Sequence, residues 1–84
     1  MMCWIGRTVV SLAGHDKGSL YTVIGEECGM VLLADGKSRR LVKPKRKNIK
    51  HVLPLNLPRL SDVSVLTDGA LRRKLRAVGE EPVS

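Results

Sequence analysis

The chain has 84 residues, of which 43% are hydrophobic and 27% charged, and its formal net charge is +7. That length supports one small domain with a thin core, and the composition argues against wholesale disorder. No apolar run approaches the roughly 18–20 residues that cross a bilayer as a helix, so an integral membrane protein is excluded.

The N-terminal stretch Met1 to Arg7 lacks the basic and long apolar regions of a signal peptide, and a cytoplasmic location is expected. The first half then reads as β. A first strand is predicted over Arg7 to Leu12, closed by the turn residues Ala13 to Gly18. A second covers Ser19 to Ile24, closed by Gly25 to Gly29, and a third covers Met30 to Ala34. Asp35-Gly36 is a strong tight-turn dipeptide. A fourth strand is predicted around Leu41-Val42 and a fifth over Ile49 to Leu53. Pro44 between them cannot donate to a ladder and marks an edge or a corner. Five short strands with turns at near-regular spacing suggest a small, strongly bent barrel.

After His51 the character changes. Residues 53–58 contain two prolines and are expected to run extended across the barrel surface. From Thr67 a helix is predicted: Thr67 is a good N-cap, Asp68 suits the dipole of the first turn, and Gly79 then Pro82 stop the chain. Leu71, Leu75 and Val78 share one face, with Arg72, Arg73 and Arg76 on the other. The expected organisation is a barrel over residues 1–57, then an extended linker and a basic amphipathic helix over 58–84.

Charge is distributed unevenly. Residues 1–36 carry Arg7 and Lys17 against Asp16, Glu26, Glu27 and Asp35. Residues 37–50 carry Lys37, Arg39, Arg40, Lys43, Lys45, Arg46, Lys47 and Lys50 with no acid, a net of +8. The remainder is nearly balanced. Eight cations without an interleaved acid exceed what solubility asks, and they read as an electrostatic footprint for a polyanion. Trp4 and Tyr21 are the only aromatics, so base stacking cannot dominate such contacts and phosphate charge and shape must. The same scarcity argues against an aromatic cage for methylated lysine.

In the first hairpin, Gly6-Arg7, Val10, Ala13-Gly14, Asp16-Lys17-Gly18 and Val23 form a spaced pattern. Gly14 and Gly18 flank a loop whose backbone calls for positive φ, and Lys17 is expected at its tip beside exposed N–H groups, a combination suited to phosphate. The pattern resembles a KOW motif, the strand–loop–strand unit of several ribosomal proteins and transcription-elongation factors. Arg40 to His51 resembles the basic connector of small bacterial KOW-domain proteins that are similar to archaeal and eukaryotic large-subunit ribosomal proteins. The resemblance covers residues 5–53 and is loose beyond. It implies a mainly β fold, a five-stranded SH3-like barrel followed here by an α-helix, together with RNA binding and a ribosomal connection. The residues expected at the RNA are Arg7, Gly14, Lys17, Gly18, the eight cations of residues 37–50, and Arg72, Arg73 and Arg76.

Other classes find less support. Cys3 and Cys28 are too few for a disulfide scaffold, and with His15 and His51 they lack the close spacing of metal ligands. There is no Ser-His-Asp or Cys-His arrangement, no Walker loop and no carboxylate cluster, so no enzyme, cofactor or small-molecule substrate is expected. The basic helix has no aromatic anchor for a membrane surface. A monomer is expected, with RNA, above all ribosomal RNA or the ribosome, as partner. The alternative is a protein-interaction module docking on the transcription or translation machinery.

Overall fold

The computed structural model of the chain describes residues 4–57, 59 and 65–80. It is mainly β, with five antiparallel strands in one sheet and a C-terminal helix, an arrangement compatible with a small SH3-like barrel. The strands are β1 (Thr8–Ser11), β2 (Leu20–Glu27), β3 (Met30–Ala34), β4 (Lys45–Asn48) and β5 (Val52–Pro54). They lie in the order β4-β3-β2-β1-β5. A 3-10 turn, Ile49–His51, joins β4 to β5, and the helix α1 spans Asp68–Glu80.

Two features curl the sheet. The β2–β3 register shifts between Val23 and Gly25, and such a bulge sharpens local twist. The 3-10 turn then links the two edge strands: Ile49 N–H donates to Gly29 O at 3.2 Å, and two residues on His51 O accepts from Leu12 N–H at 2.8 Å. Side chains alternate accordingly. Val9, Tyr21, Val23, Val31, Leu33 and Val52 pack inside the curl, with Trp4 and Ile49 against them. The outer face is covered by α1, where Leu71 and Leu75 meet Ala34 along with Leu20, Ile24, Leu41 and Leu66. Thr67 Oγ1 accepts from Ala70 N–H at 3.2 Å, the cap that the sequence announces.

The first and third strands and the helix start stand where the sequence puts them, β2 runs on through the expected turn residues Gly25 to Glu27, and the fourth and fifth strands are displaced. Leu41 and Val42 form no strand: Leu41 joins the helix-side cluster and Val42 is 89% exposed in a turn. The fourth strand is instead the wholly polar Lys45–Asn48, and the fifth starts at Val52 rather than Ile49. Asp35-Gly36 opens a long connection rather than a two-residue turn. Asp35 Oδ1 accepts from the N–H groups of Lys37 and Arg39, both at 2.8 Å, and shapes that connection from its start. The helix passes through Gly79 to Glu80 instead of ending there. Pro54 lies in β5, the outermost strand beside β1, where a missing donor costs no ladder bond. Beyond it Leu55 N–H still donates to Thr8 O at 2.9 Å, which carries the extended stretch along β1. Cys3, Pro58, with the expected boundary at 57–58, and Pro82 lie outside the described residues.

Beneath α1, Thr8 and Thr22 face each other across β1 and β2, both buried, and neither hydroxyl has a hydrogen-bond partner. An unpaired buried hydroxyl costs about 1–3 kcal/mol. Thr22→Val, which keeps the branched shape, is therefore expected to stabilise the protein by about 1 kcal/mol, a rise in Tm of roughly 4–8 °C for a domain this size. A drop in Tm would show that the hydroxyl is satisfied in solution.

Candidate polyanion interface

In an antiparallel meander the β1–β2 and β3–β4 connections leave the sheet at the same end, and here they carry the chemistry. The first connection, residues 12–19, is held from within by Asp16. Its Oδ1 accepts from Lys47 Nζ at 2.8 Å and from Ser11 Oγ at 3.0 Å. Its Oδ2 accepts from Lys45 Nζ at 2.8 Å and from Tyr21 OH at 3.0 Å. Lys47 Nζ also donates to Ser11 Oγ and to Ala13 O, each at 2.8 Å.

Lys47 thus occupies a core position. Its partner in register is the buried Val31, its residue is 8% exposed, and its three donors are all used. The aliphatic stem packs while the ammonium reaches the mouth of the curl. Burial alone would raise the Asp16 pKa, but the hydrogen bonds from Lys45, Lys47, Tyr21 and Ser11 outweigh it and hold the carboxyl well below its ordinary range.

Tyr21 feels the same cluster from the other side. Burial, then the hydrogen bond to Asp16 and the charges of Asp16 and Asp35, push its phenol up to about 12, with Arg39 opposing. Because the folded pKa lies above the ordinary value of 10.0, the contribution of the neutral phenol to stability is complete below pH 10 and disappears as the pH rises towards 12. Tyr21 is the one tyrosine of the chain, so phenolate absorbance reports it alone. A midpoint near 12 is expected, falling towards 10 in Asp16→Asn. A midpoint of 10 in the parent protein would contradict the network.

The cations that the sequence singles out separate into groups. Lys17, Lys37, Arg39, Arg40, Lys43 and Lys50 are exposed, and among the described residues none of them pairs with an acid. Arg46 points outward and pairs with Glu27 at 3.0 Å. Lys45 and Lys47 point inward to Asp16, which corrects the picture of one continuous solvated run. Arg72, Arg73 and Arg76 are exposed on α1. Arg7 precedes β1, at the opposite end of that strand from the 12–19 connection, and the fold does not bring it to the others. Lys50 sits on the 3-10 turn, where its own N–H donates to Asn48 Oδ1 at 2.9 Å.

Gly14 and Gly18 adopt φ of +86° and +90°, as their spacing suggests. The N–H groups around Lys17 are not exposed for phosphate, however. Those of Lys17, Gly18 and Ser19 donate to Gly14 O at 3.3 Å, Ser11 O at 2.8 Å and Asp16 O at 2.9 Å. What the loop presents is the Lys17 side chain on a rigid turn. Tyr21 is core and Trp4 is half-buried against it, so neither aromatic offers an open stacking platform. Cys28 is exposed in the β2–β3 turn, and among the described residues no group of three potential metal ligands occurs.

Asp16 and Asp35 are the organising residues, whereas the sequence reading places Asp16 only in the pattern of the first hairpin and Asp35 only in a tight turn. One signal was available: Lys45 and Lys47 stand two apart on an all-polar strand, so one of its faces must turn inward and demand an acid. No helix among the described residues is long and apolar enough to cross a membrane. No family model matches the chain, and no curated protein matches it either.

Proposed function

We propose that the protein is an RNA-binding module that contacts structured RNA, in the first place ribosomal RNA, through phosphate charge and shape. The observation that carries this reading is the set of exposed, acid-free cations Lys17, Lys37, Arg39, Arg40 and Lys43 on two connections at one end of the sheet. Asp35 and Arg39 both bear on the Tyr21 phenol, which itself bonds Asp16, so the two connections are electrostatic neighbours. With both aromatics committed to packing, the surface can read a phosphate landscape but not a sequence of stacked bases. The resemblance of the first hairpin to a KOW motif supports the same reading. No catalytic step forms part of it.

Contacts to about five phosphates, at roughly −0.7 in log–log slope each, weaken binding by about two orders of magnitude over a fourfold rise in salt. The protein is expected to co-sediment with large ribosomal subunits at low salt and to leave them at high salt. Arg39→Glu/Arg40→Glu/Lys43→Glu removes only exposed charges, so it should abolish most RNA binding while leaving Tm unchanged. Retained binding with a flat salt dependence would overturn the RNA reading in favour of docking on a protein.

A further inference from the structure

The β3–β4 connection and α1 enclose an open cleft of about 480 Å³, lined by Asp35, Lys37, Arg72, Arg73, Leu75 and Arg76. Four of the six are cations and one is an acid. Asp35 is already engaged, since one of its oxygens accepts the N–H groups of Lys37 and Arg39. Among the described residues the lining is therefore strongly positive, and its only apolar member is Leu75.

The fold supplies this cleft ready-made. Gly36 is buried with φ +76°, and the space a Cβ would take is filled by the Asp68 carbonyl, so the residue before Lys37 lies against the first turn of α1. Asp68 Oδ1 accepts from Leu41 N–H at 2.8 Å and ties down the connection a second time. On α1, Arg72 and Arg76 stand four apart on one face with Arg73 beside them. Like charges at that spacing destabilise a helix. Among the described residues Leu71 and Leu75 carry the packing of this helix, and neither Arg72 nor Arg73 joins an ion pair.

We propose that this cleft binds a pair of adjacent phosphate groups. The volume lies within the roughly 300–1,000 Å³ of small-ligand sites, more than a lone oxyanion needs. Guanidinium forks match phosphate oxygens two at a time, and several around one cleft favour a multiply charged ligand over a single charge. No aromatic or amide side chain lines the cleft, so nothing there reads a base. Two sources share this chemistry: successive phosphates of a folded RNA backbone, and a free polyphosphate. The site itself stands on the geometry, and only RNA as the source rests on the proposed function.

The test uses the full-length protein at low salt, followed by amide NMR shifts. Inorganic tripolyphosphate is expected to saturate shifts at Lys37, Arg72 and Arg73, with at least tenfold tighter binding than orthophosphate. Arg72→Gln/Arg73→Gln should lose that binding with Tm unchanged, whereas Arg39→Glu/Arg40→Glu/Lys43→Glu should keep saturable shifts at the cleft. If RNA is the source, the arginine variant also lowers the magnitude of the RNA salt slope by about one to two, and tripolyphosphate competes with RNA at the cleft residues. Tripolyphosphate binding without any RNA binding supports the site with a free polyphosphate as occupant, and it sinks the RNA reading alone. Equal affinity for orthophosphate and tripolyphosphate, or no saturable shift at the cleft with either tripolyphosphate or RNA, overturns the site even if RNA binds elsewhere.

Discussion

Asp16→Ala is expected to cost about 3–5 kcal/mol at neutral pH, a large share of the roughly 5–15 kcal/mol that holds a small domain together. The loss comes less from the missing attraction than from what remains: Lys47 is buried and keeps only Ser11 and Ala13 as partners for its charge. Should that variant fail to fold, Asp16→Asn keeps the shape and one donor-acceptor group and gives a measurable decrement. The pH dependence has a definite sign. A folded pKa depressed below the ordinary 3.8 means that the stability Asp16 contributes is present above pH 4 and is lost as the pH falls below it. In urea titrations the gap between parent and Asp16→Asn should therefore narrow steadily from pH 4 towards pH 2. A gap that stays constant into acid would show that the carboxylate is not what compensates Lys47.

Gly36→Ala should be nearly as damaging, and comparison with Gly18→Ala isolates the reason. Both glycines have strongly positive φ, +76° at Gly36 and +90° at Gly18, so alanine at either pays about 1–2 kcal/mol of backbone strain. At Gly18 the added methyl group meets nothing within 4 Å, and the cost ends there. At Gly36 it runs into the Asp68 carbonyl oxygen and lies 3.1 Å from Arg72 N, both backbone atoms that a rotamer change cannot move. The start of α1 must shift, and the packing of Leu71 and Leu75 on Ala34 is compromised. About 3 kcal/mol or more is expected for Gly36→Ala against about 1 for Gly18→Ala. Equal urea midpoints for the two variants would mean that the helix is not seated on this connection.

How far the fold was legible follows from which forces act locally. β1 to β3 are built on short runs rich in Val, Ile, Leu and Thr beside turn residues, and the start of α1 carries its own cap at Thr67, so each could be read from a short window. β4 could not. Lys45-Arg46-Lys47-Asn48 has no apolar residue, and what turns two of its side chains inward is a carboxylate about thirty residues earlier in the chain. Leu41-Val42 looked like the better strand because apolarity was the only local signal, yet Leu41 is drawn to the helix by Asp68, 27 residues away. The candidate site divides on the same line. The positive φ of Gly14 and Gly18 and the exposure of Arg39, Arg40 and Lys43 were legible from residue type. The sorting of the basic run into inward and outward cations was not, and neither was the meeting of Lys37 with the α1 arginines.

The inward lysines also bear on how an edge strand with no apolar pattern finds its place. A strand slipped by one residue exchanges its two faces, and in most sheets the cost of exposing the core residues forbids it. β4 has no apolar residue to expose. A slip would instead carry Arg46 towards Asp16 and turn Lys45 and Lys47 into solvent, trading a matched pair of ammonium donors for one bulkier guanidinium. The half-buried Asp16 therefore acts as an index mark that rejects a one-residue slip of β4 on β3, a role for which buried polar groups are well attested. The outward Arg46 and the flanking charges meanwhile keep that exposed edge from pairing with another copy. One short polar strand in this way keeps its inward face and is guarded against strand exchange by the same few charges.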